Sequence, residues 1–201
     1  MSKAPQPIGS FVDSFVKRHG LDGKVVGIDP SLTNTAVAVG NGRDWSLKEF
    51  SSKPLGDFVV ARATRYDGLV ERIVQFIESK KPIDAIYIEG YAFSRNPSGQ
   101  RWLVEFGGIL RWHLVDLADR VVEVSPTTLK KFVTGKGNAP KESVLAHIQK
   151  RWGELFESND AGDAFGLYKL GCVVEGIAEG ENVAQREAAA TVKDEIDEWS
   201  R

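Results

Sequence analysis

Four acidic residues stand where chain segments end or begin, and brought together they would form an oxygen-rich site for a divalent cation. Asp29 closes the apolar run Lys24–Asp29 (KVVGID) and precedes Pro30, which drives Asp29 into an extended conformation. Glu89 closes a second run, Ile83–Glu89 (IDAIYIE), and precedes Gly90. Asp160 and Asp163 lie three apart at the start of an apolar helical stretch, DAGDAFGLYKLG, so one face of its first turn carries both. If the two runs are neighbouring strands, Asp29 and Glu89 emerge side by side and the helix delivers two more acids. Four such charges repel by several kcal/mol at an effective dielectric of ~20, and a cation relieves the repulsion. An all-oxygen set favours Mg²⁺ or Mn²⁺ over Zn²⁺, which prefers the His and Cys that are scarce here. Each Asp has a plainer reading, as a turn residue before proline or as a helix N-terminal acid. Glu89 has the weakest one, because an acid closing a run of Ile, Tyr and Ile is expected to be buried and needs a partner.

Lysine and glycine supply the second group. Thr134–Lys141 (TGKGNAPK) sets two glycines and Lys136 between two helices, where backbone amides and the ammonium can approach a phosphate. The spacing is not that of a Walker A loop. Lys141 opens the next helix, an unfavourable place for a cation by the helix dipole, and that cost points to a use at the scissile phosphate. Tyr91, Phe93, Arg95, Asn96, Arg101, Trp102 and Arg111 interleave bases with aromatics directly after Glu89, a composition suited to phosphate contact and base stacking. Lys130, Lys131 and Lys136 extend the positive surface. Phe106 and Trp112 are expected in the core or at a subunit interface, and Cys172 as a small core residue.

The elements that must position these groups can be read from pattern. Strands are expected at 24–29, 35–40, 45–51, 83–89 and 120–124, with Asn41-Gly42 as a hairpin turn. Helices are expected at 62–80, 98–118 (apolar stripe Leu103, Phe106, Ile109, Leu110, Leu114), 127–132 after Ser125-Pro126, 141–152 and 160–175. Three consecutive strands followed by alternating helices and strands describe an α/β domain: a mixed five-stranded sheet with helices on both faces. Residues 1–23 read as a leader with a short amphipathic helix at 10–19, residues 24–178 as the main domain, and 179–201 as an acidic C-terminal helix.

Composition sets outer bounds. In 201 residues, 42% are hydrophobic and 27% charged, which excludes a wholly disordered or collagen-like chain. No apolar stretch reaches the ~18 residues of a membrane span. With Cys172 the only cysteine no internal disulfide can form, and a reducing, intracellular setting is expected. The net charge of −2 conceals a division: residues 24–153 carry 19 bases and 14 acids, residues 154–201 four bases and 12 acids. A modestly basic body with an acidic end leaves a nucleic-acid partner open.

With these motifs in place, the chain resembles the RuvC-type Holliday-junction resolvases of the RNase H-like, retroviral-integrase superfamily over roughly residues 24–178. The resemblance rests on VVGIDPSLTNTAVAV, IYIEGYAF, VSPTTLKKFVTGKGNAPKESV and NDAGDAFGLY in that order. It maps the family's acidic tetrad onto Asp29, Glu89, Asp160 and Asp163, and its active-site lysine onto Lys141. Ser31 and Ala36 stand where the family usually has glycines, and leader and tail resemble decorations of phage and organellar branches. What the resemblance implies is a homodimeric endonuclease with two Mg²⁺ ions per site. It would nick four-way DNA junctions in symmetric pairs and leave 5′-phosphates. The helix around Phe106–Trp112, with Gly107-Gly108, is the candidate dimer interface. Other branched substrates such as flaps and forks, RNA–DNA hybrids, and a non-catalytic DNA-structure-binding role are the competing readings.

Overall fold

Val25–Asp29 buries every residue, as a continuous apolar run demands of a strand covered on both faces. The computed structural model describes residues 23–91 and 97–199, and the expected leader helix at 10–19 falls outside them. The strands are β1 (Val25–Asp29), β2 (Asn34–Gly40), β3 (Trp45–Ser51), β4 (Ala85–Glu89) and β5 (Arg120–Val124). The helices are α1 (Val59–Glu78), α2 (Pro97–Leu114), α3 (Pro126–Thr134), α4 (Glu142–Trp152), α5 (Asn159–Val174) and α6 (Val183–Trp199). The sheet order is β3-β2-β1-β4-β5. β1 pairs antiparallel with β2 and parallel with β4, while β2–β3 is antiparallel and β4–β5 parallel.

Alternation along the strands divides the interior. Val26, Ile28, Ile86 and Ile88 face α1 and α2, whose stripes of Leu69, Ile73, Ile77, Phe106, Leu110 and Leu114 complete that layer. Val25, Ala85 and Tyr87 face the other way, toward α3, α4, α5 and α6. α5 is apolar all round and buried along nearly its whole length, which makes it the central helix of that layer. Its approach to β1 depends on Gly27: a Cβ there would lie 2.2 Å from the Ala164 carbonyl oxygen and 2.3 Å from the Tyr168 nitrogen. Tyr168 in turn accepts a 2.9 Å hydrogen bond from the Gly42 amide at the tip of the β2–β3 hairpin.

Local chemistry sets the ends. Ser125 caps α3 by accepting from the Thr128 amide at 3.0 Å, Pro126 occupies the first turn, and Gly135 ends the helix at φ 88°. Asn41 Oδ1 accepts from the Arg43 and Asp44 amides, closing the hairpin turn. The acidic tail helix α6 buries Ala188, Ala189 and Val192 in the same core as α5, and its Glu187 pairs with Lys131 at 2.9 Å. One expectation fails on α2: Ile109 points outward, because the buried seam follows Phe106, Leu110 and Leu114 at four-residue steps. Among the described residues no helix is long and apolar enough to cross a membrane.

Candidate active site

Register fixes the floor of the site. Val25, Val26, Gly27 and Ile28 lie opposite Ala85, Ile86, Tyr87 and Ile88, so the next rung sets Asp29 beside Glu89, both on the α5 side of the sheet. Asp29 is 5% exposed. Burial, followed by the charges of Glu89, Asp163 and Asp160, holds its carboxyl well above the usual range, and a hydrogen bond with Glu89 adds to the rise. Glu89 is also raised, chiefly by burial. The bond with Asp29 and the ammonium groups of Lys141 and Lys130 oppose that rise.

The opposite wall comes from α5. Ser158 caps the helix by accepting from the Ala161 amide at 3.0 Å, and Asp160 and Asp163 follow within the first two turns. Gly162 admits Leu145 and Ile148 of α4, seating this end of α5 closely. Asp163 is 7% exposed. Burial and the charge of Glu89 push its carboxyl up to about 7, against the pull of Lys141. Lys141, at the start of α4, holds its Nζ 3.8 Å from Asp163 Oδ2. Burial acts to lower its pKa, but Asp163, Asp29, Asp160 and Glu89 outweigh burial and raise it.

A cleft opens above these groups, lined by Asp29, Pro30, Ser31, Leu32, Thr33, Glu89, Leu103, Lys141 and Asp160. Its rim is braced. Thr35 Oγ1 donates to the Ser31 carbonyl at 2.6 Å and accepts from the Ser31 amide at 3.1 Å. Ser31 Oγ, where a glycine was the family expectation, accepts from the amides of Thr33 and Asn34 and so closes the turn with its own side chain. Ser52 and Arg65 hold the Leu32 carbonyl from the other side.

The donor set suits a hard divalent cation: four carboxylates, two of them buried and raised by burial and by neighbouring acid charge, with no His or Cys among them. No group of three or more His, Cys, Asp or Glu side chains among the described residues stands ready at metal-holding geometry. The ammonium of Lys141, 3.8 Å from Asp163, moderates the repulsion among the four acids.

The expected DNA-contacting residues divide. Lys130 lies close enough to lower both Glu89 and Asp163, so it belongs to the site. Lys136 is exposed on the α3–α4 connection, and the Arg101 guanidinium covers the Trp102 ring at 3.8 Å. Tyr91 is engaged by Arg111, which donates to its hydroxyl at 2.9 Å. Lys131 is turned to Glu187 of α6. Phe93 and Arg95 lie outside the described residues. Glu49 went unmarked in the sequence, although it shares a rung with Ala36, the partner of Asp29. The strand limits 35–40 and 45–51 pair Ala36 with Glu49, so the signal was present in the hairpin register.

A mixed sheet of this order, with acids at the ends of its two adjacent parallel central strands, is the architecture of the RNase H-like α/β fold. A family model described as Crossover junction endodeoxyribonuclease RuvC matches residues 25–167, and the chain belongs to that family. A curated RuvC of Sulfurovum sp. (strain NBC37-1) is 28% identical over 131 residues, covering 64% of this chain and 80% of that protein. Among solved structures, Thermus thermophilus RuvC aligns with a TM-score of 0.57 at 20% identity, over 72% of this chain and 90% of that one. T. thermophilus RuvC in complex with a Holliday junction substrate gives 0.58 at 16% identity, over 73% and 90%. At these identities the two structures speak for the fold.

Proposed function

We propose that this chain resolves four-way DNA junctions by hydrolysing one phosphodiester in each of two opposed strands, with two Mg²⁺ ions (or Mn²⁺) held by Asp29, Glu89, Asp160 and Asp163. The activity class, crossover junction endodeoxyribonuclease, comes with family membership. The residue-level reading is carried by one observation: acids from β1, β4 and α5 converge closely enough for Glu89, Asp163 and Asp160 all to raise Asp29, at a cleft bordered by Lys141. When bound, the ions would polarise the scissile phosphate and lower the pKa of the attacking water.

The chain's own groups do the rest. Asp29, Glu89, Asp160 and Asp163 would hold the ions through their ionised carboxylates. Lys141, kept protonated by the acids, meets the non-bridging phosphate oxygens as charge builds there. Lys130 adds a second ammonium on the α3 side, while Lys136 and Arg101 contact the backbone of the arms. Departure of the 3′-oxygen leaves 5′-phosphate ends. Two opposed nicks need two copies of the cleft, hence a homodimer. Its interface is the outer face of α2, where Val104, Ile109 and Trp112 are exposed around Gly108, with open space beside it. Two members of the expected interface lie elsewhere: Phe106 is core, and Gly107 makes room for Tyr91 and Arg111.

The deciding test is cleavage of a synthetic four-way junction with and without Mg²⁺, mapped on all four strands. Paired, symmetric, Mg²⁺-dependent nicks are expected. Equal cleavage of flaps or RNA–DNA hybrids would move the substrate class, and junction binding without any cleavage would return the acids to a structural role.

A further inference from the structure

Glu49 is an exposed acid on β3, yet one of its carboxylate oxygens holds two hydrogen bonds. Its Oε1 accepts a 2.5 Å hydrogen bond from Asn34 Nδ2 and another from the hydroxyl of Ser158. Asn34 is the first residue of β2, immediately after the cleft-lining segment Pro30–Thr33. Ser158 is the N-cap of α5, two residues before Asp160 and five before Asp163. One oxygen atom therefore joins three pieces of chain that meet at the site and are otherwise far apart in sequence.

The chemistry of the cap makes the contact directional. A serine hydroxyl has one proton and two lone pairs. With the proton given to Glu49, a lone pair is left facing the Ala161 amide, which Ser158 Oγ receives at 3.0 Å. The capped amide belongs to the turn between Asp160 and Asp163. Across the sheet, Glu49, Ala36 and Asp29 form one row, about 10 Å from end to end at the usual strand spacing. A further negative charge so near four acids is unfavourable unless its hydrogen bonds are needed.

We propose that Glu49 is a positioning residue: through Ser158 it fixes the first turn of α5, and with it the direction in which Asp160 and Asp163 present their oxygens to the cation site. The proposal rests on the reading of those acids as ion ligands. A carboxylate that orients a ligand-bearing element typically changes cation affinity by 10–100-fold when lost.

The test uses the full chain and three variants, Glu49→Ala, Glu49→Gln and Asp163→Asn. Mn²⁺ binding is measured by calorimetry, and amide hydrogen exchange at Ala161 and Gly162 is measured without divalent ions. Glu49→Ala is expected to weaken Mn²⁺ binding about 10-fold and to speed exchange in that turn, with the rate at saturating Mg²⁺ nearly unchanged. Glu49→Gln keeps an acceptor for both donors and should restore binding and protection to near wild type. Unchanged affinity and exchange in Glu49→Ala would overturn the proposal, as would a Gln variant no better than Ala. Asp163→Asn separates the two readings: if it too leaves Mn²⁺ affinity unchanged, the ion-site reading fails first, while the exchange data still decide whether Glu49 holds the turn.

Discussion

Asp29 and Glu89 reach the cleft by a different route from Asp160 and Asp163. The strand pair is carried by consecutive backbone rungs at the centre of the sheet, and side-chain choice elsewhere hardly enters. The helix pair is carried by the start of α5, whose position depends on the Ser158 cap, on Gly162 against α4 and on Gly27 against β1. Electrostatics follow the same division. Burial holds both strand acids above the usual carboxylate range, whereas Asp163, at about 7, faces Lys141 and changes charge near neutrality. One half of the site is thus set when the sheet forms, and the other is adjusted by caps, glycines and pH.

The largest effect separating the halves should come from neutralising one acid of each. Asp29→Asn and Asp163→Asn are both expected to lower junction cleavage by on the order of 10³-fold or more, with binding in EDTA retained because it depends on phosphate neutralisation. Asp163, at about 7, is ionised at pH 8 against its burial, so Asp163→Asn should also raise the melting temperature at that pH. Retained cleavage in either variant would break the pairing.

Next in size is the contact that seats the helix. Gly27→Ala inserts a methyl against the backbone of α5 and is expected to cost about 3 kcal/mol, read by urea denaturation. A loss under 1 kcal/mol would show that α5 can retreat from β1 at little cost.

The smallest of these effects is the pH response without divalent ions. Asp163 titrates near its ordinary carboxylate value when unfolded and at about 7 when folded. The folded state therefore holds the proton more tightly, and stability contributed by that proton is present at low pH and lost as pH rises through about 7. From pH 5 to pH 8 the loss from this group is about 2–3 kcal/mol, and Asp163→Asn should flatten that slope. An unchanged slope would assign the pH dependence to other groups.

Much of this was legible in the sequence because the signals were local. Apolar runs ending on Asp29 and Glu89, Asn41-Gly42 between two strands, and Ser125-Pro126 before a helix each carry their own physics, and the element limits differ by only a few residues. What escaped depends on distant partners. Glu49 reads as a surface acid until Ser158, 109 residues away, is placed against it. Arg65 reads as one more helix cation until its guanidinium meets the Leu32 carbonyl. Gly107 looked like a surface for a second subunit, but the Tyr91 hydroxyl fills the space beside it. Lys131 looked available to DNA until α6 brought Glu187 to it.

At Gly27 the acid-bearing helix meets the acid-bearing strand main chain to main chain. The gap between them is therefore gauged by peptide thickness, and the oily residues around it can turn over without resetting it. A lineage could replace much of its interior and keep the same spacing as long as one position carries only hydrogen. In this architecture drift of the interior and geometry of the reacting groups are decoupled by one absent methyl.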